Sequence, residues 1–316
     1  MDDLSIIHSF FVSALYTITK NGASTHMILF IHDLSGIFFS SIHEYCSREN
    51  ATDIDEDLLR GMILTRINYI NKKLSRGRQF KTVIAMDSRK GYWRRDMFQY
   101  YKGKRKENRD ASKVDWDSIF QKWERIIAEY KANIPYIFID VDKAEGDDVH
   151  AALTFKLHDE FTEIINVTSD EDMAQLMDKF KNVKQFSLKR KKMITPEDVK
   201  YDLFTHIVKG DKDDGVPNIF SADNSIMEGV RQKAVRATSL TEWKSMGGFE
   251  NPEVFCDEEQ LRRFKMNKIL VDFDEIPIDL IDKIYEEYRV YKTPKQKCFD
   301  YFFKHGLTML MEEFKA

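Results

Sequence analysis

Met27-Ile28-Leu29-Phe30-Ile31-His32-Asp33 is an apolar run that ends on a carboxylate, and the recurrence of that pattern along the chain decides the fold. Runs of the same kind, rich in Ile, Val and Phe, occur at 82–86, 136–139, 163–167 and 182–186. They are too short for helices and too continuously apolar for half-exposed strands, so they read as buried ones. Helical patterns lie between them. Ile54, Leu58, Met62, Ile67, Ile70 and Leu74 fall on one helical face, with Asp53 and Glu56 placed as a capping box. Trp116, Ile119, Phe120, Trp123, Ile126, Ile127 and Tyr130 form a second stripe, most simply a core face. Strands alternating with helices predict an α/β fold, a mostly parallel central sheet flanked by helices and joined by right-handed crossovers. Beyond residue 195 the strand signal fades. Thr195 and Pro196 stand in the cap and first-turn positions of a helix, and short helices separated by Gly, Pro and Asp follow.

The acids gain meaning on that sheet. Asp33, Asp87 and Asp140 follow the first three strands, Asp140 leads into Glu145, Asp147 and Asp148, and Asp170 and Asp172 follow the fourth. Carboxyl ends of parallel strands share one edge, where open α/β sheets place their sites. Asp211 and Asp214 come after a helix expected to end at Lys209. Each Asp taken singly is also explained as a helix cap; the convergence is not. Carboxylates a few Å apart repel by several kcal/mol per pair, so such a cluster calls for bound cations. His and Cys are absent from the constellation, and oxygen-only donors select two Mg²⁺, or Mn²⁺ in their place, over zinc. Two such ions about 4 Å apart clamp a phosphodiester, which makes its hydrolysis the natural reaction.

Charge points to the same substrate. The 316-residue chain carries a net charge of only −4, yet residues 89–109 hold nine basic residues against two acids, a local +7. Tyr92, Trp93, Phe98, Tyr100 and Tyr101 interleave with these charges, a combination that holds phosphates and stacks on unpaired bases. A solvated basic loop is the plainer reading of this segment. Its position directly after Asp87 sets it over the acidic edge.

Several motifs then line up in order. Gly91-Tyr92-Trp93-Arg94-Arg95-Asp96 and Tyr100-Tyr101-Lys102-Gly103-Lys104-Arg105 resemble the flap endonuclease and 5′-to-3′ exonuclease family, the first in the form of its phage ribonuclease H branch. Glu145-Gly146-Asp147-Asp148, Thr168-Ser169-Asp170-Glu171-Asp172 and Lys209-Gly210-Asp211 through Asp214-Gly215-Val216-Pro217 are similar to three further blocks of that family, so the likeness spans 27 to about 220.

The resemblance implies a PIN-like nuclease core at 27–194 with a basic arch at 89–113, and a smaller helical C-terminal domain at 195–316 for duplex binding. It implies that Asp33, Asp87, Glu145, Asp147 and Asp170 surround a first metal and that Asp172, Asp211 and Asp214 hold or organise a second. Lys102 would reach the scissile phosphate and Tyr101 would stack near the terminal base. Arg105 and Lys104 would grip the 5′ strand, with Arg94, Arg95 and Lys106 along the nucleic acid. The implied activity is Mg²⁺-dependent removal of RNA primers, 5′ DNA ends and flaps from DNA and RNA–DNA hybrids in phage replication. A single-stranded DNA-binding protein and a sliding clamp are the implied partners of a monomer.

The chain departs from the family at Asn218-Ile219-Phe220, where many relatives carry a Gly-rich hairpin, so a potassium-supported duplex contact there is left without support. At 1–26, Leu4, Ile6, Ile7, Phe10 and Phe11 beside Asp2 and Asp3 fit either a clamp-docking peptide or, more simply, a helix packed on its own domain. Those acids, with no basic residue before Lys20, argue against a secretion signal, and no run reaches the ~18 apolar residues of a membrane span. Three scattered cysteines, Cys46, Cys256 and Cys298, indicate neither disulfide nor zinc, consistent with a reducing cytoplasm. Two other readings stay open: a non-catalytic, structure-specific nucleic-acid-binding subunit, and an aspartyl-nucleophile phosphatase.

Overall fold

A computed structural model describes residues 25–294 and 298–313. The N-terminal docking segment expected at 1–26 lies, but for its last two residues, outside them. The central sheet has six strands in the order β3-β2-β1-β4-β5-β6. They are β1 (Thr25–Asp33), β2 (Phe80–Ala85), β3 (Ile137–Ile139), β4 (Phe161–Val167), β5 (Val183–Ser187) and β6 (Lys192–Met193). The first five run parallel and β6 returns antiparallel against β5. Two residues are too few to show a period, which is why β6 escaped the reading of the sequence.

Helices cover both faces. On one lie α1 (Leu34–Glu49), α2 (Glu56–Ser75) and α5 (Trp116–Asn133), which bury Leu34, Phe38, Ile63, Ile67, Ile126 and Tyr130 against Ile84 and Phe138. On the other, α6 (Gly146–Leu157) and α11 (Ile278–Val290) bury Val149, Leu153, Ile281 and Ile284 against Leu29, Ile31, Val83 and Ile139. Each such side chain contributes about 1.5–3 kcal/mol when fully removed from water. The short helices α3 (Trp93–Met97) and α4 (Arg105–Asp110) follow β2, and α7 (Ala174–Lys179) lies between β4 and β5.

After β6 come α8 (Val199–Lys209), α9 (Ala237–Ser245), α10 (Glu258–Val271), α11, α12 (Cys298–Lys304) and α13 (Thr308–Glu313). A third apolar cluster joins Phe204, Ile207, Val208, Val216, Leu240 and Phe264 to Phe98 and Tyr101. The basic segment is thus rooted in the core of the C-terminal helices.

Two expected helix starts are corrected. Asp55, not Asp53, caps α2 by accepting from Leu58 N at 3.0 Å, while Asp53 turns to Ser118 and Lys122 of α5. Ile54, Ile67 and Ile70 of the expected stripe are buried; Leu58 is not, being 41% exposed while Leu59 takes the inward position. Asp198, not Thr195, caps α8 by accepting from Tyr201 N at 3.0 Å, which leaves Pro196 ahead of the helix. A carboxylate able to reach the N3 amide outcompetes a preset proline φ at a more distant position.

Candidate active site

Asp33 is at once the last residue of β1 and the cap of α1. Its Oδ1 accepts from Gly36 N at 2.8 Å and its Oδ2 from Thr168 Oγ1 at 3.1 Å. A Cβ on residue 36 would stand 2.5 Å from Asp33 Oδ2, so any larger residue there would displace that carboxylate. Asp87, just past β2, accepts from Ser35 Oγ at 2.6 Å and from Gly146 N at 2.8 Å. Asp147 stands in the first turn of α6. Asp170, past β4, caps a 3₁₀ turn by accepting from Asp172 N at 2.8 Å.

The edge is charged enough to shift its own protonation. Burial first, and then the charges of Asp170 and Asp33, hold the Asp147 carboxyl well above the usual carboxylate range. Burial and the charge of Asp172 push Asp170 up to about 7, and burial with the charge of Asp87 pushes Asp33 up to about 6. Asp170 also feels Asp214, which ties the loop after α8 to the row. Among the described residues no three His, Cys, Asp or Glu side chains stand preassembled around one point. Asp147, Asp170, Asp172, Asp211 and Asp214 line a cleft of about 730 Å³ together with Lys102, Arg105, Glu171, His206 and Asp213. A larger groove, of about 1110 Å³ along α1 and α2, holds none of the candidate acids.

Cations of the chain itself enter the row. Lys102, in the left-handed region at φ 54°, donates its backbone N–H to Asp214 O at 2.7 Å. Its ammonium pairs with Glu145 and lies 3.5 Å from Asp214. Burial alone would lower that ammonium's pKa, but Glu145 and Asp214 raise it, so it stays charged. Arg105 donates to the other oxygen of Asp214 at 2.8 Å. Gly215, at φ 76°, lets this loop press on the segment: a Cβ there would meet Tyr100 O at 2.8 Å.

His206, overlooked in the sequence, bridges two acids. Its Nδ1 is 2.9 Å from Asp172 and its Nε2 is 3.4 Å from Asp211. Burial opposes its charge, but the bonds to Asp172 and Asp211 prevail and raise its pKa to about 10, while lowering that of Asp211. Its place in the last turn of α8, five residues before Asp211, was the available signal.

Several expected placements are revised. Arg94 does not face nucleic acid: its side chain is 3% exposed and bound to Glu145 and Asp148. Tyr101 does not offer its ring for stacking, because it is buried and its hydroxyl donates to Glu145 and Asp214. Trp93 and Phe98 are likewise core residues. Glu145, expected beside the first metal, is buried under three donors, Arg94, Tyr101 and Lys102. Asp140 pairs with Lys131 at 3.1 Å, away from the row. Arg95 and Lys106 are exposed and Lys104 is half-buried, so these remain open to solvent.

Comparison with known proteins places these residues in a wider group. Residues 29–203 match the family model described as the 5′-3′ exonuclease N-terminal resolvase-like domain, and residues 197–316 match that of the T4 RNase H C-terminal region. The chain is 36% identical over 264 residues to the ribonuclease H of Enterobacteria phage T4, covering 81% of this chain and 86% of that protein. It is 25% identical over 167 residues to a 5′-3′ exonuclease of Buchnera aphidicola, covering 50% of this chain and 54% of the relative. Among solved structures, a phage T5 protein co-crystallised with metal ions superposes with a TM-score of 0.61 at 15% identity, over 84% of this chain and all (100%) of that one. The T5 5′-exonuclease with bound zinc superposes at 0.54 and 14% identity, over 83% and 99% of the two chains. At these identities the superpositions speak for the fold alone.

Proposed function

Because this chain belongs to the 5′-3′ exonuclease family, together with the ribonuclease H of phage T4, we propose that it is a Mg²⁺-dependent nuclease that removes 5′ ends and flaps of DNA and the RNA of RNA–DNA hybrids, clearing primers in replication. One observation carries this reading. Asp33, Asp87 and Asp170 after three strands, Asp147 in the first turn of α6 and Asp214 in the loop after α8 converge at one sheet edge with Lys102 and Arg105 among them.

The donor set fits a hard divalent ion. It is made of carboxylate oxygens, and the burial and repulsion that raise Asp33, Asp147 and Asp170 are what a bound cation would relieve. Asp33, Asp87, Asp147 and Asp170 would hold one Mg²⁺, and Asp172, Asp211 and Asp214 a second. Bound there, Mg²⁺ supplies the charge that activates water and stabilises the leaving oxygen.

The chain's own residues do the rest. Lys102, kept protonated by Glu145 and Asp214, and Arg105 present positive charge to the scissile phosphate as its negative charge grows. Arg95, Lys104 and Lys106 hold the flanking backbone by charge, independent of sequence. His206, protonated, turns its Nδ1–H to Asp172 and its Nε2–H to Asp211 and spaces them.

The test is polarity. A flap DNA and an RNA–DNA hybrid, each labelled at the 5′ end, should release short labelled products with Mg²⁺. Products shortened from the 3′ end, or binding of both substrates without cleavage, would overturn the reading in favour of a different nuclease or a binding subunit.

A further inference from the structure

Arg94 has three buried attachments in two parts of the molecule, the start of α6 and the end of α10. One Nη1 donates to Glu145 Oε2 and to Asp148 Oδ1, both at 2.8 Å, and Nε donates to Leu270 O at 2.8 Å. The side chains of Arg94, Glu145 and Asp148 are 3%, 2% and 0% exposed, so these bonds are made away from water. Trp93 packs under the guanidinium at 4.5 Å and donates its Nε1 to Asp148 Oδ2 at 3.1 Å. Leu270 belongs to the last turn of α10, where carbonyls have no partner within the helix. Gln175 takes the next one, donating to Val271 O at 3.0 Å.

The charges in this buried group balance. Arg94 and Lys102 offset Glu145 and Asp148, and Glu145 is shared between the two cations. Without Arg94, Lys102 alone would supply compensating positive charge to two buried carboxylates. The ammonium would then be drawn inward, away from the cleft it lines with Asp147 and Asp170.

We propose that Arg94 is a positioning residue: it holds Glu145 so that Lys102 stays poised at the acidic cleft, and it fixes that arrangement to the end of α10. Arg94 therefore acts through Lys102 and does not touch substrate. This inference rests on the nuclease reading above, in which Lys102 meets the scissile phosphate.

The experiment is single-turnover cleavage of a 5′-labelled flap DNA by the full chain with Mg²⁺, recording rate and amplitude separately. Arg94→Gln is expected to lower the rate by about tenfold or more while substrate affinity stays within about twofold, because an interaction realised in the transition state is lost. Arg94→Lys, which keeps the charge but not the fork, should recover part of the rate. In the Lys102→Ala background, Arg94→Gln should cost little further, since residues acting as a unit are not additive.

A wild-type rate with reduced amplitude would show a merely structural arginine and overturn the proposal. So would losses that multiply in the double variant, or a Lys102→Ala protein as fast as wild type. If Arg94→Gln fails to fold, Arg94→Lys decides alone: a slower rate at full amplitude supports positioning, and unchanged rate contradicts it. An inactive wild type would instead remove the nuclease reading itself.

Discussion

The hydroxyl of Tyr101 donates to Asp214 at 3.0 Å, joining residues 113 positions apart and fastening the root of the basic segment to the loop after α8. The same hydroxyl reaches Glu145 at 3.1 Å, and the ring is buried with Phe98, Phe204 and Val216. Tyr101→Phe keeps that ring and removes both bonds. It should lower stability by about 1–3 kcal/mol, because the buried Glu145 and the half-buried Asp214 lose a donor. Cleavage should slow as well, as Lys102 and Arg105 share those acids. Thermal melts and kcat check this; a Phe variant with wild-type values of both would contradict the assigned role.

Metal binding should compete with protons at the row. Asp33 and Asp170 are raised to about 6 and about 7 in the metal-free protein. The sign follows: their protonated forms favour folding below about pH 4, and this contribution is lost as pH rises through 6 to 7. A cation binds the deprotonated row. The increase in Tm on adding Mg²⁺ should therefore be large near pH 8 and shrink steadily toward pH 5.5. An increase independent of pH would contradict the placement of the ion among these acids.

His206 gives a second, separate window. Its pKa rises from 6.5 to about 10 on folding, so the stability it contributes is present below about pH 6.5 and disappears as pH climbs through 10. In EDTA, stability should decline across pH 7–10 by up to a few kcal/mol. His206→Gln should flatten that decline. A wild-type curve already flat over this range would show that the bridge to Asp172 and Asp211 is not formed.

Salt dependence should separate the arginines. Arg95 and Lys106 are exposed, and replacing either with Ala should weaken substrate binding and reduce the salt slope by about 1 while leaving saturated kcat unchanged. Arg94 is buried and should leave the slope where it was. The check is fluorescence anisotropy of a labelled flap over a range of KCl; an equal change of slope for Arg94 and Arg95 would contradict the burial of Arg94.

The sheet was legible because buried parallel strands write themselves as short apolar runs, and the acids at their ends could be placed on one edge from topology alone. The two-residue β6 and the starts of α2 and α8 were not legible. Local competition between neighbouring acids decides a cap, as Asp53 and Asp55 show. The segment after Asp87 misled in a more instructive way. Trp93, Arg94 and Tyr101 carry the residue types of a nucleic-acid surface, but Asp148, Glu145 and Asp214 claim them for the interior. Composition gives the chemistry of a side chain and not its direction. His206 was missed for the converse reason, since its two partners come from segments 34 positions upstream and 5 downstream.

The most direct test of the account is the rate of Mg²⁺-dependent cleavage of a 5′-labelled flap DNA by wild type and Asp147→Asn, with an EDTA control and melts of both proteins in EDTA. Asp147 is held well above the usual carboxylate range by burial and by the charges of Asp170 and Asp33. The account predicts no cleavage in EDTA, loss of cleavage in Asp147→Asn, and a metal-free variant that melts no lower than wild type because a repelling charge is gone. Cleavage by Asp147→Asn at the wild-type rate, or undiminished cleavage in EDTA, would contradict it.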